Sequence, residues 1–358
     1  MLRVLVADDS ALAREAMTRL INDDPEMMVV GVARGGSETV EKAQSMRPDL
    51  ITLDLVMPDM DGVETTRRIM QASPVPIVLV SSTVTSVLAA SHFEALAMGA
   101  VDVVEKPDFK RMAVDAAARG RFLQNLKSMS LVVTVTRRKA NELPTTRPPA
   151  RVLAGSDRAR IPARSSLIAV GASTGGPMAI ARALSALDPS TAPPVVVVQH
   201  MARGFIAGFA EWLSSQTRAP VELAVNAAKV VPGTVYVAPD DGHLELTSFE
   251  RLVVREGPAV RHQRPSVDVL FESVAQLGSR AIGVLLTGMG DDGARGLFTM
   301  REQGAFTIAQ DRDSSVVYGM PAAAAERGAA SLITSLDSIA RLLSSVQYEP
   351  RQASGRPS

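Results

Sequence analysis

Short apolar runs return again and again along this chain, separated by stretches whose apolar positions repeat at helical spacing. A run of three to five residues is too short for a buried helix, and a strand of that length gains burial only inside a sheet. When helices alternate with such strands, right-handed crossovers lay the strands down side by side, and the result is an open parallel sheet covered on both faces. The first third of the chain has runs at 4–7, 29–33, 50–53, 77–80 and 101–104, with helical patterns at 11–21, 37–45 and 62–71 and a closing helix expected over 111–127. Between 128 and 165 the periodicity fades, prolines stand at 144, 148, 149 and 162, and eight Lys or Arg face two acids, the composition of a linker. Alternation resumes with runs at 167–170, 195–198, 235–237, 252–255, 282–286 and 306–309. The expected organisation is α/β throughout: a five-stranded parallel domain over 1–127, a Pro/Arg-rich linker over 128–165, a doubly wound, mainly parallel domain over 166–347 and a polar tail over 348–358.

Composition narrows what such a protein does. Of 358 residues, 46% are hydrophobic and 21% charged, which suits two ordinary cores. Lys plus Arg equals Asp plus Glu at 38 each, so no global field points to nucleic acid or an anionic membrane as partner. The absence of cysteine removes disulfides, thiolate nucleophiles and thiolate metal sites together. The N-terminal run reaches Asp8 and Asp9 too soon for a signal peptide, and no stretch approaches the roughly 20 apolar residues of a membrane span. A cytoplasmic protein without membrane insertion is expected.

In an open parallel sheet, ligands bind at the carboxyl ends of the strands. Asp8 and Asp9 follow the first run, Asp54 the third and Lys106 the fifth, so four charged groups converge on one edge of the first domain. Three carboxylates placed together repel unless a cation holds them, and hard oxygen donors suit Mg²⁺. Asp54 is then a phosphoacceptor whose incoming charge is neutralised by the cation and Lys106, while Ser81, ending the fourth run, is placed to hydrogen-bond the phosphoryl oxygens.

Asp8-Asp9, the stretch 53–62 around Asp54 and Met57-Pro58-Asp59, Ser81-Ser82 and Lys106-Pro107 resemble response-regulator receiver domains, in that family's order and over about residues 1–127. The resemblance implies a flavodoxin-like fold, with Asp9, Asp54 and the backbone carbonyl of Val56 ligating Mg²⁺ and Asp8 assisting through water. One position departs from it: many receivers carry an aromatic switch residue three places before the lysine, where this chain has Val103.

In the second domain a glycine-rich turn interrupts Leu167-Ile168-Ala169-Val170-Gly171-Ala172-Ser173-Thr174-Gly175-Gly176-Pro177, and a helical pattern follows. A serine on a strand–turn–helix of G-x-S-x-G spacing has an exposed hydroxyl near the first amides of the helix, as a nucleophile attacking an acyl carbon requires. The same turn also suits phosphate binding or close packing. His200 follows four valines and Gln199, and Asp291 and Asp292 follow the run at 282–286 and its glycine-rich loop. Three parallel strands thus deliver a serine, a histidine and an acid to one edge: nucleophile, general base, and the group that fixes the imidazole's tautomer. The loop at 287–293 is glycine-rich enough to turn a backbone amide toward an oxyanion, and spacing alone does not separate Asp291 from Asp292.

Gly171 to Pro177, Gln199-His200-Met201, Arg264-Pro265-Ser266-Val267-Asp268 and Thr287 to Gly293 together resemble the catalytic domain of the chemotaxis protein-glutamate methylesterases. The resemblance implies that Asp292 completes the triad, that the Met289 amide contributes to an oxyanion hole, and that the catalytic domain needs no cofactor. It also implies demethylation of glutamate γ-methyl esters on methyl-accepting chemoreceptors, deamidation of particular glutamines, and phosphorylation by a chemotaxis histidine kinase. A rival class is a non-catalytic, phosphorylation-gated binding module. A dinucleotide-binding domain fits poorly, since the glycines miss G-x-G-x-x-G and the next strand ends in His200 rather than an acid. His92, His243 and His262 are expected to have no catalytic role, with His262 able to line a groove for an acidic substrate.

Overall fold

The computed structural model of the chain describes residues 1–81, 86–132, 161–240, 242–248 and 250–350, without the side chains of 86–90. Ser82, Asp241, the middle of the expected linker (133–160) and most of the expected tail (351–358) lie outside the described residues. The chain divides into two compact units, Met1–Pro148 and Pro149–Ser358.

The first unit runs β1 (Leu2–Ala7), α1 (Ala11–Asn22), β2 (Met27–Ala33), α2 (Gly36–Met46), β3 (Leu50–Leu53), α3 (Gly62–Ala72), β4 (Ile77–Ser81), α4 (Ser86–Met98) and β5 (Asp102–Glu105). Its five strands are parallel in the order β2-β1-β3-β4-β5. Every residue of β3 and β4 is buried, the reason these central strands are apolar apart from Thr52 and Ser81. The single helix expected over 111–127 is two, α5 (Phe109–Val114) and α6 (Ala116–Ser130). Asp115 leaves the helical region at φ −98° and ψ 88°, and its carboxylate accepts from Ala118 N, so a strong N-capping residue starts a new helix where periodicity alone suggests continuity.

The second unit opens with β6 (Arg164–Ser165), β7 (Leu167–Ala172), α7 (Gly176–Leu184), β8 (Val195–Gln199), α8 (Phe205–Gln216), β9 (Val221–Leu223) and β10 (Val235–Val237). It continues through β11 (His243–Leu246), β12 (Leu252–Arg255), α9 (Val267–Val274), β13 (Ala281–Leu285), α10 (Ala294–Glu302), β14 (Phe306–Gln310), α11 (Met320–Glu326), β15 (Leu332–Thr334), α12 (Leu336–Ser344) and β16 (Gln347–Tyr348). Seven strands form a parallel sheet in the order β15-β14-β13-β7-β8-β10-β9. The run at 252–255 is a strand, but of a separate antiparallel pair in which His243 faces Arg255. The short edge strands β9 and β15 were not expected, and β6 pairs with β16 near the two ends of the unit.

Leu167 and Ala169 of β7 and Val196 and Val198 of β8 pack with Val267, Leu270, Phe271 and Val274 of α9. Ile168 and Val170, pointing the other way, are equally buried, so the sheet is covered on both faces. Truncating the fully buried Phe271 to alanine would cost about 3–5 kcal/mol. The order β13-β7-β8 brings together at one sheet edge the loops after residues 172, 199 and 285.

Candidate active site

In the first unit the acids sit where the strands end. One carboxylate oxygen from each of Asp8, Asp9 and Asp54 lies within 4.8 Å of the others. Asp8 and Asp54 are buried and Asp9 is exposed. The Lys106 ammonium reaches Asp8 Oδ2 at 2.7 Å and Asp54 Oδ2 at 2.8 Å. Burial works to lower the Lys106 pKa, but its contacts with Asp54 and Asp8 outweigh that and hold the group charged above its ordinary value. Lys106 is fixed by its own amide, which donates to Ser81 O at 2.7 Å, and Ser81 is buried. Val56 N approaches Asp54 Oδ1 at 3.3 Å. One ammonium against three carboxylates leaves a net negative pocket of hard oxygen donors, which fits a divalent cation such as Mg²⁺. Val103, in the place of an aromatic switch, is buried in β5.

In the second unit the serine turn is built by backbone constraints. Gly176 N donates to Ser173 O at 2.8 Å, and Gly175 takes a left-handed conformation at φ 74° that leads the chain into α7. A Cβ on Gly175 would also lie 2.5 Å from Val316 Cβ, so both conformation and space select glycine there. Ser173 N donates to Thr287 O at 3.0 Å, and Thr287 Oγ1 donates to Thr174 O at 3.0 Å, which binds the serine turn to the loop after β13. Gly288 lies so close that a Cβ on it would come within 2.7 Å of Ser173 Cβ. The amides of Ser173 and Gly288 are committed to the Thr287 and Val317 carbonyls, whereas no backbone acceptor for Met289 N is found among the described residues.

His200 is joined to the same turn, since its amide donates to Ala172 O at 3.0 Å. The buried amide of Gln199 donates from Nε2 to both Ser173 O and His200 O, each at 2.8 Å, clamping the two turns together. The His200 Nε2 atom lies 3.0 Å from Asp292 Oδ2, close enough for a strong charge contact, although neither ring nitrogen completes a well-aligned hydrogen bond. Nδ1 has no hydrogen-bond partner among the described residues. Such contacts commonly tighten only when substrate binds.

The two acids of the loop differ sharply. Asp291 is exposed and pairs with Arg261. Asp292 is buried, and its oxygens accept from Ser266 Oγ at 2.8 Å, Val267 N at 2.8 Å and Asp268 N at 3.0 Å in addition to meeting His200. Burial works to raise its pKa, but the His200 contact and the amides opening α9 more than offset this and leave the carboxyl below its usual range. Asp292 is thus an anion pointed at the imidazole, and Asp291 is a surface charge.

Among the other histidines, His92 is buried in α4 and His262 is exposed. His243, expected in a turn, begins β11 and is buried: its Nδ1 accepts from Ser266 N at 3.2 Å, so Nε2 carries the proton and donates to Pro258 O at 3.0 Å. Sequence reasoning named Gln199, Ser266 and Asp268 within the motifs that carry the resemblance but gave them no role, and it missed Gln310, whose Oε1 accepts from Thr287 N at 2.8 Å. A glutamine ending a buried strand, as at 199 and 310, is the one signal that marks two of them.

Residues 168–343 match the CheB methylesterase family and residues 4–117 the response regulator receiver domain. A protein-glutamate methylesterase/protein-glutamine glutaminase of Syntrophus aciditrophicus is 41% identical over 96% of this chain and 97% of its own length. One from Myxococcus xanthus is 42% identical over 96% of each. The catalytic domain of the Thermotoga maritima CheB methylesterase aligns at 34% identity and a TM-score of 0.49, covering 50% of this chain and 97% of that one. With this similarity over nearly its whole length, the chain belongs to the protein-glutamate methylesterase/protein-glutamine glutaminase family, a receiver domain joined to a CheB methylesterase domain.

Proposed function

We propose that this chain is a phosphorylation-activated serine carboxylesterase that removes methyl groups from glutamate γ-methyl esters on bacterial chemoreceptors, releasing methanol, and deamidates particular glutamines by the same chemistry. The observation that carries the reading is Asp292, buried as an anion against His200 beside the Ser173 turn. Ser173 Oγ attacks the ester carbonyl carbon and its proton passes to His200. The developing oxyanion accepts from Met289 N, and the imidazolium is stabilised by Asp292. Collapse breaks the bond to the methoxy group, which leaves as methanol with the proton from His200. Water then attacks the acyl-serine through the same base and restores Ser173, giving a free glutamate. With a glutamine the leaving group is ammonia. The rival binding module gives no reason for an ionised acid buried against a histidine.

In the receiver, over 1–127, Asp54 is the phosphoacceptor: its carboxylate oxygen attacks phosphorus as the donor's bond to phosphorus breaks. Asp9, Asp54 and the Val56 carbonyl would hold Mg²⁺, with Asp8 assisting through water, and the cation would supply neutralisation of charge on the phosphoryl oxygens. Lys106 and Ser81 receive the transferred group's oxygens. The phosphodonor is the chemotaxis histidine kinase, and the segment 128–165 joins this domain to the esterase domain over 166–347. Among the described residues no helix is long and apolar enough to cross a membrane. The enzyme is cytoplasmic and acts on the cytoplasmic helices of its receptors. Methanol release from methylated receptor membranes, with and without a small-molecule phosphodonor, tests the whole reading. Release that rises with the donor is expected, and no release in either condition would overturn it.

A further inference from the structure

Asp268 is fully buried, and its carboxylate touches none of the reacting groups named above. Its Oδ1 accepts from Gly293 N at 3.0 Å and Gly296 N at 2.8 Å, the amides that open α10. Asp292, immediately before α10, accepts in turn from Val267 N and Asp268 N, the amides that open α9. Each helix therefore supplies the acid that fills the other's N-terminus. Ser266, the residue in the N-cap place of α9, does not cap its own helix; its hydroxyl goes to Asp292 instead. The two helices touch closely, since a Cβ on Gly296 would lie 2.7 Å from Asp268 O and from Phe271 Cβ. Arg261 and Arg295 face Asp268 Oδ2 at 3.1 and 3.5 Å and are themselves paired with Asp291 and Glu272.

This reciprocity has a chemical consequence. The Asp292 carboxylate stays aimed at His200 only while the amides of 267 and 268 stay where they are, and those amides are tied to the Asp292 loop by Asp268. We propose that Asp268 is a positioning residue for acyl transfer, which locks α9 to α10 and thereby holds Asp292 against the imidazole. The proposal rests on the esterase reading given above. It requires more of Asp268 than a contribution to stability: its loss must slow the reaction of Ser173, a residue it does not touch.

The test uses the full-length protein and the rate at which a fluorophosphonate labels Ser173, a readout that needs no receptor, set beside the melting temperature. Labelling requires His200 to take the serine proton, so its rate reports how well Asp292 holds the imidazole. In Asp268→Ala the labelling rate is expected to fall about 100-fold, the loss that a misplacement near 1 Å produces. Asp268→Asn, which keeps an acceptor for Gly293 and Gly296, is expected to restore most of the rate. If Asp268→Ala does not fold, Asp268→Glu, which keeps the charge but overreaches the two amides, replaces it with the same expected loss. A variant that melts earlier yet labels at the wild-type rate would reduce Asp268 to a helix cap and overturn the inference alone. A wild-type protein whose Ser173 never labels would overturn the esterase reading with it.

Discussion

Replacing each loop acid by its amide isolates what the burial of Asp292 is for. The two oxygens of Asp292 meet four donors: Ser266 Oγ and Asp268 N on Oδ1, Val267 N and His200 Nε2 on Oδ2. Asparagine offers one oxygen, so its NH₂ must face two donors whichever way it turns. If the NH₂ faces Ser266 and Asp268, buried donors are left unmatched at about 1–3 kcal/mol each. If it faces Val267 and His200, the imidazole is driven toward the wrong tautomer. In both orientations the charge that stabilises the imidazolium is gone, and the comparable change in a serine protease lowers kcat about 10⁴-fold. Asp292→Asn is therefore expected to lose about 10³- to 10⁴-fold in kcat, which is about 4–5.5 kcal/mol at 1.36 kcal/mol per decade. Asp291 is exposed, and its partner Arg261 keeps a second acid in Asp268, so Asp291→Asn should change kcat less than about 3-fold, within the range of a surface ion pair. Methanol release from methylated receptor membranes measures both. Equal losses, or a greater loss at 291, would remove Asp292 from the triad.

How much of this was legible in the sequence depended on how local each determinant is. The strands at 50–53 and 235–237 stand where their apolar runs stand, because a strand covered on both faces is mostly apolar. The strands Val221–Leu223 and Leu332–Thr334 are half-exposed edges of three residues, and no run of that kind separates them from loop. The break at Asp115 was hidden because the helical periodicity passes through it while a single capping contact decides the outcome. At the site, the convergence of Ser173, His200 and the acidic loop was legible because Ser173 and His200 each follow directly on a strand, the loop follows β13, and topology carries the ends of adjacent strands to one edge. The contacts that Asp268, Ser266 and Gln199 make across the site were not, because these partners lie 24 to 28 residues away and nothing local requires them to meet. Spacing left Asp291 and Asp292 equivalent; burial separates them. The nitrogen of His200 that faces the acid is likewise a matter of packing, outside the reach of pattern.

Ser173→Ala and His200→Ala should each abolish most esterase activity, and the double variant should be no worse than about the poorer single one; multiplying losses would argue against a unit. Asp54→Asn should take up no phosphoryl group from a small-molecule donor, and a chelator should block uptake by the wild type; undiminished labelling of the variant would move the acceptor elsewhere. Gly175→Ala should lower the melting temperature of the second unit, because its φ of 74° and the Val316 contact together cost about 1–3 kcal/mol; an unchanged melt would refute the strain. The last expectation concerns acid stability and follows from the sign of the Asp292 shift. Its native pKa lies below the ordinary 3.8, so near that pH the unfolded chain binds more protons than the folded one. Stability drawn from the ionised carboxylate is then fully present above pH 3.8 and is lost as the pH falls through the lower native value. An amide at 292 cannot titrate. Melting curves taken down from pH 5 should therefore converge, with the wild type starting above Asp292→Asn and losing its advantage below pH 4, whereas Asp291→Asn should track the wild type throughout. Parallel curves for wild type and Asp292→Asn would mean that the carboxylate gains nothing from His200 and the amides of α9, and the electrostatic account of the buried acid would fail with them.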